Sequence, residues 1–345
     1  MKILFVISAI RNGGAERVLQ ALANGLGERG HECEVLYFEE DQGRYEIAAK
    51  KTFLDLYSRG GLKAKFEKFA RIRAFVKAAK PDVIISFMDQ TNINMIIATA
   101  FLPRTLIATE HVGHDLLRSP FWRLTRDFSY RFASGLTVLN RADYGYYSFV
   151  KNREIIHNPC FLKAPATLPK KEKIVLSVGR LEKVKGYENY FLALSLLPRE
   201  LLGQWRVVVC GEGSEEAALK ALASKLNLNI KFVGHVDVAT LYEKAAVLVL
   251  PSLSEAFGNV LVESAIFGCA RLATATAGAK ELIKSDRDGL ISDFEPSSIA
   301  SNLKKLLEDE DLRQRLAAGA LERKSEFETS QIIDKWEKFI QKCKN

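Results

Sequence analysis

Short runs of apolar residues alternate along the chain with longer segments in which apolar residues recur every three or four positions. Short apolar runs bounded by turn residues predict buried parallel strands, and the segments with helical spacing predict the helices that cover them. Repeated alternation of this kind is typical of α/β proteins with a doubly wound parallel sheet. The predicted strands span residues 2–8, 31–38, 83–88, 105–109, 135–140, 173–178, 205–210, 230–236, 247–250 and 271–275.

The alternation stops once and restarts, which predicts two doubly wound domains. Residues 1–160 form the predicted first domain, and the alternation of strands and helices resumes over residues 173–325. The stretch 161–173 carries prolines and lysines without periodicity and is predicted to be a linker. Residues 326–345 are predicted to form a C-terminal helix, in which Trp336 lies on an apolar face. The cleft between two facing domains is the expected site.

The composition is that of an ordinary globular protein. The chain has 345 residues, of which 48% are hydrophobic and 27% are charged, so it can bury large cores without covalent staples. Its five cysteines are scattered and form no Cys-x-x-Cys pair, which argues against a disulfide framework or a zinc site. No run of about 18 apolar residues occurs, and the first run turns polar at Ser8. We therefore expect neither a membrane-spanning segment nor a signal peptide.

The net charge of +8 is concentrated in the first half, where residues 1–160 hold 23 Lys and Arg against 17 Asp and Glu. Within that half, residues 59–80 contain eight basic residues and one acidic residue, Glu67, and Phe66, Phe69 and Val76 recur at helical spacing. This pattern predicts a basic amphipathic helix. It could be a solvated surface helix, a helix on an anionic membrane, or a cationic wall that binds diphosphate groups. No nucleic-acid-reading motif accompanies the charge, so a nucleic-acid partner is not expected.

Aromatic residues alternate with arginines in a second unusual segment. Phe121-Trp122-Arg123-Leu124 is followed by Phe128-Ser129-Tyr130-Arg131-Phe132. Amphipathic side chains of this kind suit a membrane–water interface, and the same residues would equally suit a core. The sequence leaves these two interpretations open.

Polar residues follow two predicted strands of the first half. Gly13 and Gly14 lie in the loop after the first strand, where the backbone could approach a phosphate or simply make a tight turn. No Gly-x-Gly-x-x-Gly fingerprint occurs there. Glu110 and His111 come directly after the strand 105–109, at the edge where open α/β sheets bind ligands. His111 is therefore a functional candidate, whereas His114 is predicted to be an ordinary loop residue.

Three features of the second half suggest an anion or sugar site. Arg180 and Lys185 share the loop that follows the strand 173–178, from which two cations could clamp a diphosphate. The Gly-Glu-Gly of 211–213 is a weak phosphate signal. Glu255 and Glu263 flank a small turn that leads into an apolar helix, and they are either two surface glutamates or carboxylates that hold sugar hydroxyls.

The one Asp-x-Asp motif, Asp286-Arg287-Asp288, precedes Gly289 in a predicted hairpin-like turn. Aspartate is expected in turns because its side chain bonds the local backbone, so this motif is predicted to be structural and no metal site is expected.

Taken together, the Arg180/Lys185 loop, the Glu255-x7-Glu263 stretch, the 13–17 loop and Glu110-His111 resemble the retaining glycosyltransferases of family 4. The resemblance covers almost the whole chain. It implies a GT-B fold, in which two Rossmann-like domains face a central cleft and the C-terminal helix crosses back to the first domain. Ala256 departs from the family pattern, in which glycine is usual.

The resemblance also implies roles for these residues. Arg180 and Lys185 would hold the nucleotide diphosphate, Glu263 the ribose hydroxyls and Glu255 a hydroxyl of the donor sugar. His111 would lie by the reactive face of that sugar. The remaining donor-site residues implied are Gly13, Gly14, Val233, His235, Phe257, Gly258, Asn259 and Val260.

Within family 4, the segments 66–92 and 250–264 are similar to Pgl-type transferases of bacterial N-glycosylation. Those enzymes extend an undecaprenyl-diphosphate-linked glycan with N-acetylgalactosamine. The similarity implies a UDP-N-acetylhexosamine donor, α-1,4 transfer that can repeat, a polyprenyl-diphosphate glycan acceptor and an anionic membrane at the cytoplasmic face. The acceptor diphosphate would be bound by Arg17, Lys63, Lys65, Lys68, Arg71 and Arg73.

No carboxylate pair is evident for the double displacement of retaining glycosidases. We expect same-face attack instead, with Arg180 and Lys185 neutralising the leaving diphosphate, so that no metal is needed. One alternative is transfer of another sugar to a lipopolysaccharide or capsule precursor. An alternative of another class is a sugar-nucleotide-binding membrane scaffold without catalysis.

Overall fold

The computed structural model describes residues 1–39, 41–43, 45–56, 62–117, 119–168 and 170–344, with the backbone alone for 62–65. The chain forms two compact units. One consists of residues 1–159 together with 328–345, and the other consists of residues 160–327. The stretch predicted to be a linker therefore belongs to the second unit. Lys171 fastens it there by donating hydrogen bonds to the carbonyl oxygens of Tyr242 and Glu243, at 2.8 and 3.0 Å.

The first unit contains a parallel sheet with strand order β3-β2-β1-β4-β5-β6-β7. Its strands are apolar where helices cover both faces, as in β1 and β4. Two strands, β3 and β7, are absent from the predicted set. The Lys-Lys-Thr-Phe sequence of β3 lacks an apolar run and is mostly exposed, and β7 is only three residues long. The strands are β1 (Lys2–Ile7), β2 (Glu32–Tyr37), β3 (Lys50–Phe53), β4 (Val83–Phe87), β5 (Thr105–Thr109), β6 (Gly135–Val138) and β7 (Arg153–Ile155).

Helices cover this sheet, and the first of them buries an apolar stripe that contains Val18, Leu19, Leu22 and Leu26. The segment predicted as a basic helix is helical from Leu62, while its first residues, 59–61, lie outside the described residues. The helices are α1 (Gly14–Glu28), α2 (Leu62–Ala79), α3 (Asp89–Ala98), α4 (Pro120–Tyr130) and α5 (Arg141–Tyr146).

The second unit contains a parallel sheet with strand order β10-β9-β8-β11-β12-β13. The predicted hairpin-like turn is present only in part. The Asp286 amide donates to the Gly289 carbonyl oxygen at 2.9 Å, but Leu290 and Ile291, which were predicted to belong to the turn, begin a sixth parallel strand with Leu290 beside Leu272. The strands are β8 (Glu172–Val178), β9 (Arg206–Cys210), β10 (Ile230–Phe232), β11 (Ala245–Leu250), β12 (Ala270–Thr274) and β13 (Leu290–Ser292).

An extensive apolar core joins this sheet to its helices, from Val175 and Phe191 to Leu303 and Leu316. The helices are α6 (Tyr187–Ser195), α7 (Arg199–Leu202), α8 (Glu216–Lys225), α9 (Val238–Lys244), α10 (Asn259–Ile266), α11 (Ala277–Leu282), α12 (Pro296–Glu308) and α13 (Glu310–Leu321).

The C-terminal helix α14 (Thr329–Lys344) packs on the first unit, as expected. Its Ile333 fills the space beside Gly25, and its Phe339 and Cys343 fill the space beside Gly135. Arg29, the residue that follows α1, donates a 2.5 Å hydrogen bond to Glu337.

In both units the first and fourth strands lie side by side. The second and third strands extend the sheet on one side of this pair, and the later strands extend it on the other side. The crevice at the carboxyl ends of these two strands is where doubly wound sheets bind ligands. The pair is β1/β4 in the first unit and β8/β11 in the second.

Candidate active site

In the second unit, the loops that follow β8 and β11 lie against one another. The amide of Leu253 donates to the carbonyl oxygen of Val184 at 2.8 Å. Gly186 adopts a φ of +66°, and a Cβ at this position would lie 2.1 Å from the carbonyl oxygen of Pro251. Only glycine therefore allows the two loops to meet.

This close approach brings Lys185 and Glu255 together. The Lys185 Nζ lies 2.5 Å from Glu255 Oε1, and the Ser252 hydroxyl donates to the same oxygen at 2.8 Å. Both charged side chains are mostly buried, so their interaction is weakly screened. An anionic ligand that reaches Lys185 could exchange places with the Glu255 carboxylate, which is then released to accept hydrogen bonds from hydroxyl groups.

Arg180 does not join this pair. Its guanidinium is exposed and donates to Glu182 Oε1 at 2.7 Å on the surface of the same loop. Exposed ion pairs of this kind contribute little free energy, so Arg180 can turn toward a ligand at small cost.

Neither Glu255 nor Glu263 is a surface residue, which excludes that interpretation of the two glutamates. Glu263 is buried in α10 and accepts a hydrogen bond from the Tyr242 hydroxyl at 3.2 Å. Burial and the Glu263 charge raise the pKa of Tyr242 well above its ordinary value, so the phenol remains a donor. No sequence motif pointed to Tyr242, which lies in another helix.

The backbone of residues 257–260 is positioned by close packing. Gly258 precedes α10 with a φ of +92°, and the Gly278 amide donates to the Glu255 carbonyl oxygen at 2.8 Å. A Cβ on Gly278 would lie 2.4 Å from the carbonyl oxygen of Phe257.

Replacing Gly278 by alanine should therefore lower the free energy of unfolding by about 3 kcal/mol, because backbone must move to admit the methyl group. Urea unfolding measures this change. Gly27→Ala is the matched control, since nothing lies within 4 Å of a Cβ there, and helical alanine should be neutral or stabilise by up to about 1 kcal/mol. Equal midpoints for the two variants would contradict the packing argument.

The glycines of the Gly-Glu-Gly at 211–213 allow close packing on the loop that follows β8. A Cβ on Gly211 or Gly213 would lie 2.0 or 2.3 Å from the carbonyl oxygens of Gly179 and Leu181. The carboxylate of Glu212 accepts from the His235 amide at 3.3 Å. Glu212, which was not among the candidate residues predicted from sequence, thus holds the turn that contains Val233 and His235.

In the first unit, the glycine loop after β1 caps α1. Gly13 is the N-cap, Gly14 is the first residue of the helix, and both are exposed. Arg17 lies in the first turn, and its amide donates to the Gly13 carbonyl oxygen at 3.3 Å. The loop therefore presents a helix N-terminus, where backbone N–H groups favour anions.

Glu110 is buried at the carboxyl end of β5. Its carboxyl group accepts a hydrogen bond from Tyr130, whose own hydroxyl accepts from Asn92 at 2.9 Å. Burial, together with the charge of Asp89, raises the pKa of Glu110 to about 8. The group therefore holds a proton at neutral pH.

His111 stacks on Phe87, with ring centroids 5.3 Å apart and nearly parallel planes. Both ring nitrogens are buried, and neither has a hydrogen-bond partner in the described part of the chain. Burial lowers the pKa of His111 to about 4, so the imidazole is neutral. Because unpaired buried nitrogens are unfavourable, this ring is suited to hydrogen-bond a ligand.

These two groups predict opposite effects of pH on stability. Folded Glu110 keeps its proton up to about pH 8, whereas its ordinary pKa is 4.5, so stability falls as the pH rises between these values. His111 makes stability rise between pH 4 and 6.5. Above pH 6.5, of these two groups only Glu110 still changes the stability with pH. It should reduce the free energy of unfolding by up to about 2 kcal/mol between pH 6.5 and pH 8.

Urea unfolding at pH 6.5 and pH 8 tests this prediction. Glu110→Gln, which can still accept from Tyr130, should remove most of the decline. Glu172→Gln changes an exposed ion pair and should keep the decline of the unaltered chain. A decline of the same size in Glu110→Gln would refute the assignment.

His114 has structural partners, as predicted. Its Nδ1 lies 2.7 Å from Asp143 Oδ1, its amide donates to the same oxygen at 3.0 Å, and its ring stacks on Tyr146.

The residues of α2 that were predicted to bind the acceptor have different surroundings in the structure. Phe69, Ile72 and Val76 pack on the first unit, whereas Phe66, predicted on the same stripe, is exposed. Arg73 donates to the carbonyl oxygens of Ala98 and Ala100, at 3.1 and 2.7 Å, at the end of α3.

These bonds engage Arg73 Nη1, and the acceptor role of Arg73 stays a prediction. The exposed Arg71 donates to the carbonyl oxygen of Asp55, and Lys68 is half-buried. The side chains of Lys63 and Lys65 lie outside the described residues.

Asp288 has the structural role that the sequence predicted. It is completely buried, pairs with Arg271 at 3.2 Å and Arg323 at 3.3 Å, and accepts from the Lys284 amide at 2.8 Å. In the described ranges, no group of three or more His, Cys, Asp or Glu side chains could hold a metal ion. The same residues contain no helix that is long and apolar enough to cross a membrane.

Parallel sheets with this strand order, and with charged loops at the point where the strand order reverses, are typical of doubly wound nucleotide-binding proteins. Two family models match the chain: "Glycosyltransferase Family 4" over residues 12–144 and "Glycosyl transferases group 1" over residues 161–323. The chain is also 36% identical, over 100% of its length and 99% of the relative, to a Campylobacter jejuni protein. That relative is named GalNAc-alpha-(1->4)-GalNAc-alpha-(1->3)-diNAcBac-PP-undecaprenol alpha-1,4-N-acetyl-D-galactosaminyltransferase.

The chain belongs to the family 4 glycosyltransferases, which confirms the resemblance found in its sequence. Solved structures agree on the GT-B fold. Anabaena HepE in complex with UDP has a TM-score of 0.84 at 20% identity, and covers 99% of this chain and 100% of HepE. Sucrose-phosphate synthase from Thermosynechococcus elongatus has a TM-score of 0.84 at 18% identity, over 99% and 98% of the two chains.

Proposed function

We propose that this glycosyltransferase moves N-acetylgalactosamine from UDP-GalNAc to a polyprenyl-diphosphate-linked glycan, with α-1,4 linkage and retention of configuration. The observation that carries the proposal is the 36% identity over the whole chain to the C. jejuni protein, whose name specifies that sugar, linkage and lipid. The Lys185–Glu255 pair at the β8/β11 crevice supports the donor part of the proposal. Repeated transfer to the same glycan and a peripheral position at the cytoplasmic membrane face belong to it as well.

In the proposed reaction the donor diphosphate binds Lys185, and Arg180 turns from Glu182 to the same phosphates. Cations fixed beside a leaving group stabilise the charge that develops as the sugar–oxygen bond breaks. The acceptor hydroxyl attacks from the face that the diphosphate leaves, and its proton passes to a leaving phosphate oxygen. Because two protein cations serve the diphosphate, the proposal includes no metal.

When the donor diphosphate binds Lys185, it displaces the Glu255 carboxylate. The carboxylate then accepts a hydrogen bond from a donor-sugar hydroxyl. Glu263, kept in place by Tyr242, accepts from the ribose. The neutral His111 imidazole can donate with one nitrogen and accept with the other, which suits it to sugar hydroxyls. The turn at Val233–His235, held by Glu212, is assigned to the base.

Transfer assays with a matrix of donors and acceptors test the proposal. The donors are UDP-GalNAc, UDP-GlcNAc and UDP-glucose, and the acceptors are an undecaprenyl-diphosphate glycan ending in GalNAc and a lipopolysaccharide core precursor. Mass spectrometry and NMR identify the product and its anomeric configuration. We expect α-linked GalNAc on the first acceptor, with undiminished rate in EDTA.

Each competing function predicts another result. Preferential transfer of a different sugar to the lipopolysaccharide precursor would replace the proposed substrates, and nucleotide binding without turnover would indicate a scaffold.

A further inference from the structure

Helix α4 is arranged with its apolar side outward. Phe121, Leu124, Phe128 and Phe132, the last just beyond the helix, follow one another at helical spacing and form an apolar stripe. Their exposed fractions are 68%, 72%, 57% and 59%. A surface helix normally buries such a stripe, and contiguous exposed apolar surface marks an interaction site.

The opposite side of α4 is polar and buried. Arg126 donates to the His114 carbonyl oxygen at 3.3 Å and pairs with Asp127 at 3.1 Å, and its guanidinium lies over the Tyr147 ring. The Tyr130 hydroxyl donates to Glu110. These specific contacts fix the orientation of the helix, so turning the stripe inward would break these hydrogen bonds and leave the polar groups unpaired.

The charges around the stripe favour an anionic partner. Among residues 119–132, the two exposed charged side chains are Arg123 and Arg131, and both are cations. The one acid of this segment, Asp127, is half-buried, pairs with Arg126 and accepts from Tyr146. Aromatic rings flanked by arginines fit the headgroup region of a bilayer, where the rings reach the acyl chains and the cations meet lipid phosphates.

A second copy of the chain fits this surface less well. A two-fold interface on the stripe would bring Arg123 and Arg131 of both copies together, with no exposed acid in this segment to offset them. Helix α2 offers no comparable apolar stripe, because Phe69, Ile72 and Val76 are packed on the first unit and Phe66 alone of the four is exposed.

We propose that the apolar stripe of α4 docks the protein on an anionic lipid bilayer, with the helix lying in the plane of the interface. This deepens the proposed function, on which it rests, because it assigns the peripheral membrane position to one particular surface of the first unit. The stripe supplies apolar insertion, and the basic residues around it supply the attraction to anionic lipid.

Trp122 provides a probe inside this surface. Of the three tryptophans, Trp205 and Trp336 are buried, with exposed fractions of 6% and 3%, whereas Trp122 is 43% exposed beside the stripe. Vesicles containing brominated phosphatidylcholine should therefore quench and blue-shift the signal of Trp122 selectively.

The experiment uses the full chain with vesicles of phosphatidylglycerol and phosphatidylcholine that contain no glycolipid and no sugar donor. We expect cosedimentation, quenching by brominated lipid, and loss of the quenching in a Trp122→Phe variant that still binds. Phe121→Ser/Leu124→Ser/Phe128→Ser should bind at least about tenfold more weakly. These side chains are exposed, so the variant should keep its unfolding midpoint. Leu196→Ser, which changes an exposed leucine of the second unit, should bind as the unaltered chain does.

Unchanged binding of the triple variant would overturn the proposal, as would failure of the unaltered chain to bind vesicles. A dimer that dissociates only in the triple variant, without vesicle binding, would also overturn it and make the stripe a protein interface. Because these vesicles contain no substrates, docking is scored separately from transfer. Binding without GalNAc transfer would refute the proposed function alone.

Discussion

Replacing Lys185 by alanine should lower kcat/KM for sugar transfer about 10³-fold, the upper range for losing one preorganised group that stabilises developing charge. The loss has two physical sources. The cation that neutralises the leaving diphosphate is gone, and Glu255, mostly buried beside it, keeps a charge that repels the diphosphate. Initial rates with varied UDP-GalNAc measure the change.

Lys183→Ala is the matched control. Lys183 lies in the same short turn, but its side chain is exposed, so kcat/KM should change less than about threefold, in line with the small value of exposed charges. Combining Lys185→Ala with Glu255→Gln should cost less than the sum of the two single losses, because the neutral amide no longer repels the diphosphate. If Lys185→Ala retains most of its kcat/KM, the proposed donor site is wrong.

Replacing Asp288 by alanine should lower the free energy of unfolding by about 3–5 kcal/mol, the usual cost of leaving one partner of a buried ion pair alone. Arg271 is buried in β12, and Asp288 provides its carboxylate partner at 3.2 Å. The substitution also removes the acceptor of the Lys284 amide and the link to Arg323. Urea unfolding is followed by fluorescence in a Trp122→Phe/Trp336→Phe background, in which the signal of the buried Trp205 reports on this unit.

Glu172→Ala is the control for this change. It breaks an ion pair with Arg206 in which both side chains are largely exposed, and such pairs contribute at most about 1 kcal/mol. A loss for Asp288→Ala no larger than that of Glu172→Ala would show that the buried pair does not stabilise the second unit.

The parts of the fold that the sequence predicted are those encoded by local apolar patterns. Runs such as Val83–Phe87 and Ala245–Leu250 are buried on both faces, so they read directly as strands. The edge strand Lys50–Phe53 is polar and exposed, and its parallel pairing to β2 depends on a neighbour far from it in sequence. No local pattern could have predicted it.

The candidate site likewise has features that the sequence predicted and features that depend on tertiary packing. The sequence predicted that Lys185 lies in a loop after a strand, and the family resemblance assigned both Lys185 and Glu255 to the donor. That β8 lies beside β11, which brings the two residues together, was not predicted. The partners of long side chains depend on tertiary packing, which is why the capping of α3 by Arg73 was missed. The outward stripe of α4 has the same spacing as a core stripe, and only the burial of Arg126 and Tyr130 distinguishes them.

The return of α14 to the first unit affects the order in which the protein is completed during synthesis. The ribosome makes residues 1–159 before the second unit, yet the side of the first unit near Gly25 and Gly135 is covered by Ile333, Phe339 and Cys343, which are translated after the second unit. The second unit, residues 160–327, therefore has all of its chain before the first unit does. Although nascent domains usually finish from the N-terminus onward, here the first unit to begin folding is the last to be complete.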